Sequence, residues 1–167
     1  MGKLLNSYAD LFKALDGTGV VILHDNTLAD TLRGYLRDCP IDIPFMAEHG
    51  LSLVFFYDQT AQPEKWRHYM GMCFQVKHEE PPDEFCIGIS SQRMAAGKDA
   101  VIETWLHEAA HVFHGSDVTA HDYRFHELHK ALMEACKEGA EETRSKASLL
   151  DRLRAPMGGH RTQDDPR

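Results

Sequence analysis

The chain has 167 residues, a net charge of −8 and a hydrophobic fraction of 43%, with a mean hydropathy of −0.42. That length and composition fit a single globular domain with a real core, and no apolar run approaches the ~20 residues of a membrane span. The acidic balance speaks against a direct grip on nucleic acid, which usually needs a basic surplus or stripe. The only basic clusters, Lys65-Trp66-Arg67-His68 and the Arg144–Arg154 region, are short, and the second also carries acids.

Met1 to Ser7 lacks the long apolar core and cleavage site of a secretory signal, and Asn6 stands where myristoylation wants Ser or Thr, so a cytoplasmic location is expected. Leu4, Leu5, Tyr8, Leu11, Phe12 and Leu15 follow helical spacing, ended by Asp16-Gly17-Thr18-Gly19. Val20–His24 is a short apolar run and is read as a strand. Asp25-Asn26-Thr27 offers an N-cap for a helix through about Arg37, stopped by Cys39-Pro40, with a loop around Pro44. Leu51–Tyr57, rich in Val, Leu and Phe, reads as a strand, and Asp58–Glu64 as a turn. The runs Arg67–His78 and Phe85–Ile89, separated by Pro81-Pro82-Asp83, read as an antiparallel hairpin.

Asp99 is placed to cap a helix that starts near Ala100, whose apolar back comprises Val101, Ile102, Trp105, Ala109, Val112 and Phe113. Gly115 breaks it, and another helix begins at about His121 or Asp122, with Phe125, Leu128, Leu132, Met133 and Cys136 on its apolar face. Glu138–Arg154 is charged and reads as helical. Residues 155–167 read as a disordered tail, and residues 1–154 as one domain with its core at about 50–137. The four cysteines, Cys39, Cys73, Cys86 and Cys136, form no C-x-x-C pair and are expected to be free thiols; for Cys73 and Cys86 a cross-strand disulfide is the alternative. The fold expected is α+β: a small, mostly antiparallel sheet of three to four strands packed with helices.

The chemistry is concentrated in His107-Glu108-Ala109-Ala110-His111. On a helix, residues i and i+4 share a face about one turn apart, so both imidazoles reach one ion, and the glutamate stands beside it to take a proton from water. Zn²⁺ is the usual guest, one per chain, and the class implied is a metallohydrolase, most often a metalloprotease. Zinc wants a third protein ligand and one open position. The candidates downstream are His114, Asp117, His121, His126, Glu127, His129, Glu134 and Glu138. Three ligands from one straight helix surround an ion poorly, which disfavours His114; His121 lies past the Gly115 break, where the chain can fold back.

The run from His107 to His111, nine residues, then His121-Asp122-Tyr123-Arg124-Phe125 resembles the SprT-like (Spartan-type) metalloprotease domain. Leu132-Met133, Ile87-Gly88-Ile89-Ser90 leading to Val101–Leu106, and Gly71-Met72-Cys73 carry the likeness further, over about residues 50–137. The resemblance implies a zinc peptidase acting on protein or peptide substrates, with His107, His111 and His121 as ligands and Glu108 as general base. It implies a second helix bearing the third ligand, and it admits DNA-linked substrates although the charge does not indicate DNA binding. The chain departs from the family in having Asp122 where Gly usually follows the third histidine, and in lacking a C-terminal zinc ribbon. Tyr123 and His126 are candidates for stabilising the transition state or supporting the ligands. Asp117, Asp122 and Glu103 are candidates to accept a hydrogen bond from a ligand imidazole. Two alternatives stay open: an ImmA/IrrE-like peptidase with Glu134 or Glu138 as third ligand, acting on a regulator, and a non-catalytic, zinc-stabilised binding domain.

Overall fold

Burial of Leu51 and Phe55–Tyr57, and continuous burial along Gly71–Val76 and Phe85–Ser90, mark the strands of one sheet covered on both faces. The structure, a computed structural model, describes residues 2–5, 26–62, 64, 67–77, 83–115 and 121–137. In chain order its elements are β1 (Gly2–Leu5), α1 (Asn26–Tyr35), α2 (Ile43–Ala47), β2 (Leu51–Tyr57), a 3-10 turn (Gln59–Ala61), β3 (Gly71–Val76), β4 (Glu84–Ser90), α3 (Ser91–Ala95), α4 (Lys98–His114) and α5 (Tyr123–Lys137). The sheet order is β1-β3-β4-β2.

The α+β class holds, but the sheet is mixed rather than mostly antiparallel. Only β3 and β4 pair antiparallel, as the expected hairpin; β1 with β3 and β2 with β4 run parallel. The cause is strand order: β4 inserts between β2 and β3, so β2 lies beside a strand of its own direction. A second correction concerns the N-terminus. Leu4 and Leu5 belong to β1, paired with Gln75 and Val76, and not to a helix. Two adjacent leucines satisfy either period, and the free edge of β3 supplies backbone partners that local spacing does not reveal. The rest of that expected helix, the run Val20–His24, the Pro81-Pro82 turn, Asp117, the Glu138–Arg154 helix and the tail lie outside the described residues.

Elsewhere the boundaries follow local chemistry. The segment around Pro44 forms α2, with Asp42 capping it by accepting from the Phe45 N–H at 2.9 Å. Ser90 ends β4 and caps α3, accepting from the Arg93 N–H at 3.0 Å. The helix α4 starts at Lys98, with Gly97 as N-cap at φ 102°, so Asp99 lies in its first turn instead of capping it. Gly115, at φ 73°, takes the left-handed conformation that closes α4, its N–H donating to the His111 carbonyl.

Two apolar clusters sandwich the sheet. On one face Leu51, Phe56, Cys73, Phe85, Ile87 and Ile89 pack beneath the helices, including Trp105, Ala109, Leu128 and Leu132. On the other lie Phe55, Tyr57, Met72, Phe74, Val76 and Cys86. A register shift between Leu51 and Leu53 explains why Leu51 shares a face with Phe56 despite their odd spacing. Trp105 is fully buried, its indole N–H donating to the Ile41 carbonyl at 2.6 Å, which fastens the α1–α2 connection to the back of α4. Cys73 and Cys86 stand on opposite faces of the sheet, which rules out a disulfide between them; both are free and buried.

Candidate metal centre

The helix α4 is buried around most of its circumference, because the sheet takes one side and α5 the other. The two histidines expected to share a face do so, with ring centroids 5.2 Å apart. His121 lies just before α5 rather than on it, and its ring stands 5.2 Å from that of His107 and 4.8 Å from that of His111. Ligand nitrogens of His107, His111 and His121 all fall within 4.8 Å of one another, the only such three-residue group among the described residues. Glu134 is not part of it, and Glu138 lies outside the described residues.

What brings His121 back over α4 is a short clamp. Asp122 caps α5, accepting from the Phe125 N–H at 3.0 Å, and the same carboxylate lies 3.1 Å from Nε2 of the buried His114 in the last turn of α4. One side chain thus starts the second helix and ties it to the end of the first. Those bonds hold the Asp122 carboxyl below its ordinary range, the Phe125 N–H contributing most. Asp122 therefore serves His114 and not a ligand imidazole. Glu103, the other candidate among the described residues, pairs with Arg93 at 2.6 Å.

Phe125 forms the floor. Its buried ring lies 4.4 Å from His111, 4.6 Å from His121 and 5.0 Å from His107, centroid to centroid. The apolar setting keeps imidazoles neutral: burial, with lesser repulsion from neighbouring rings, lowers His107 to about 4 and His111 to about 3. Both nitrogens of His111 are buried without a hydrogen-bond partner, as is Oε2 of Glu108. Buried polar atoms left this way are costly, and one nitrogen of His111 has its need met by an ion shared with His107 and His121, whose ligand atoms lie within 4.8 Å of one another. The residues therefore fit the ion.

Glu108 is 3% exposed, and burial raises its carboxyl to about 7. It stands against Gly71 at the start of β3; a Cβ there would lie 2.5 Å from Oε1 of Glu108 and 2.6 Å from Cγ2 of Thr104. Strand and helix approach this closely because residue 71 has no side chain. Above them opens a cavity of about 610 Å³, bounded on one side by His68, Tyr69, Met70 and Gly71, and on the other by residues that include Arg93, His107, Glu108 and His129. The buried Tyr57 hydroxyl donates to the Tyr69 carbonyl at 2.9 Å and pins the first of these walls. Arg93 braces the second, donating to the Ala100 carbonyl and to Oγ1 of Thr104, each at 2.8 Å.

The other sequence-derived candidates divide. Tyr123 is 72% exposed, and neither it nor His126 lines the cavity; the exposed His126 ring rests edge-on against Phe125. His129, one of the downstream ligand candidates, is outside the three-imidazole group but half-buried in the cavity wall, 5.4 Å from the His107 ring, and its Nε2 is buried without a partner. Gly71 and Thr104 fall within the runs that carry the resemblance, but their contacts with Glu108 and Arg93, like the place of Arg93 itself, had no local signal, since each acts through a neighbour brought in by the fold. No family model, curated protein or solved structure matches this chain.

Proposed function

We propose that this chain is a zinc-dependent peptidase of the SprT-like kind, hydrolysing peptide bonds in protein substrates. The observation that carries the reading is the buried, unpartnered Glu108 carboxylate at the floor of an open cavity, beside three converging imidazoles. A purely structural ion has no use for that group, and burying it costs stability. His107, His111 and His121 would hold the zinc. A zinc ion on three neutral imidazoles supplies Lewis acidity, both to water and to a scissile carbonyl.

The chain's own groups do the remaining work. Glu108, held between Thr104 and the bare backbone of Gly71, accepts a proton from water at Oε2 and returns it to the leaving amine. In the metal-free protein burial raises this carboxyl to about 7, which keeps a proton within its reach for both halves of that transfer. Phe125 excludes solvent beneath the ligands. Substrate would run along His68–Met72: β1 pairs with β3 only from Cys73 to Val76, so Gly71 and Met72 keep a free edge among the described residues, beside the cavity. An extended peptide adds to such an edge through main-chain hydrogen bonds. The net charge of −8 speaks against a direct grip on nucleic acid and favours protein as the substrate.

The test is Glu108→Gln. The variant should keep one zinc per chain and lose cleavage of an unfolded protein substrate. A folded wild-type protein that binds no zinc would defeat the proposal, as would a Glu108→Gln variant that cleaves at the wild-type rate. Cleavage strongly stimulated by DNA would keep the peptidase and overturn the reading of its charge.

A further inference from the structure

A second chemically competent pair lies away from the histidines. Cys39, in the turn after α1, and Cys136, in the last turn of α5, are 97 residues apart in sequence, yet their sulfurs approach to 2.8 Å. We propose that Cys39 and Cys136 form a redox-responsive thiol pair that closes to a disulfide by exchange with a small-molecule disulfide of the glutathione type.

Both sulfurs are held in place. The Cys39 N–H donates to the Leu36 carbonyl at 3.0 Å, and two residues on, the Ile41 carbonyl accepts from Trp105 at 2.6 Å. Cys136 sits on a helix whose preceding turn buries Leu132 and Ala135. Cys39 is buried and Cys136 half-buried, so solvent reaches the second first. The close contact with Cys39, together with the Lys98 ammonium, lowers the Cys136 thiol against the opposing effect of burial. Lys98 is itself tethered to Asp38, beside Cys39, at 3.5 Å. Cys136, the sulfur that solvent reaches first, is therefore the attacking one and Cys39 the resolving one. Cys73 and Cys86 do not compete, since each is buried and they face opposite sides of the sheet.

The Cys136 thiolate attacks one sulfur of the oxidant, breaking its S–S bond and releasing one thiol. Cys39 then gives its proton to solvent and attacks the Cys136 sulfur of the mixed disulfide, expelling the second thiol. The protein loses two electrons and two protons, and the small disulfide becomes two thiols. Closure fastens the far end of α5, the helix that carries Phe125 and His129, to the α1–α2 connection. It does not depend on the metal reading.

The full-length protein, equilibrated in oxidised and reduced glutathione, quenched with acid, alkylated and digested without reduction, tests this by peptide mapping. The expected map has one cross-link, between the Cys39 and Cys136 peptides, with Cys73 and Cys86 alkylated. Oxidation should raise Tm by roughly 5 °C or more, an effect reversed by reductant and missing in Cys136→Ser. Four free thiols at the most oxidising ratio, a stable glutathione adduct on Cys136, or a cross-link between other residues would each overturn the proposal. The wild-type map decides this even if the serine variant folds poorly.

Discussion

Replacing Gly71 by alanine places a methyl group where Glu108 now rests. The added Cβ would lie 2.5 Å from Oε1 and 2.6 Å from Cγ2 of Thr104. An ordinary van der Waals separation begins near 3.4 Å, so the carboxylate must retreat by roughly 0.9 Å, and α4 or the β3 backbone must move if it does not. Overpacking of this kind costs about 1–3 kcal/mol of stability. A misplacement near 1 Å costs about 100-fold in rate, or about 2.7 kcal/mol of barrier. The assay is kcat/KM on an unfolded protein substrate, with bound zinc and thermal unfolding measured on the same samples. Gly71→Ala should retain zinc, because the atoms nearest the added methyl belong to Glu108 and Thr104 rather than to a ligand imidazole, and lose about 100-fold in kcat/KM. Thr104→Ser in the same chain removes the second collision but not the first. The double variant should regain stability without regaining activity. A zinc-loaded Gly71→Ala protein with wild-type kcat/KM would refute the account of Glu108 as the base held by this contact.

Other outcomes test the centre from different sides. His121→Ala should weaken zinc binding by at least about 100-fold, more than the loss typical of an outer partner, whereas Glu134→Ala should leave it unchanged, as titration with a competing chelator will show. Asp122→Ala should remove about 1 kcal/mol through the lost α5 cap, read by denaturant unfolding, and weaken zinc about 10-fold by releasing the segment that carries His121. Adding zinc at 1,000 times its Kd should stabilise the metal-free protein by about 4 kcal/mol, and a chelator should reverse the shift in Tm. The metal-free protein should lose stability as pH falls from about 6.5 towards 4. Over that range the unfolded chain protonates both histidines from their ordinary 6.5, while the fold holds His107 at about 4 and His111 at about 3. Glu108, raised from 4.5 to about 7, opposes this with only one proton between those values. Unfolding curves that are flat across this range would contradict neutral, buried imidazoles.

The features legible from the chain alone are those whose chemistry is local. The four-residue spacing on one helical face dictated that His107 and His111 stand together, and the Gly115 break dictated that α4 ends there. The placing of His121 just past that break, where the chain turns back, pointed to the third imidazole. Leu51–Tyr57 matches its strand residue for residue because a β-rich run between turn signals is legible without tertiary help. Features that depend on distant residues meeting came from the folded arrangement. The insertion of β4 between β2 and β3 made the sheet mixed, and a free strand edge took Leu4 and Leu5 from their helical spacing. It set Gly71 against Glu108 and brought Cys39 to Cys136. It also turned the Asp122 carboxylate to His114 and gave His129 a place in the cavity wall. The physical reason is common to these cases: burial and strand pairing are rewards paid across long sequence separations, and no local period encodes which partner supplies them.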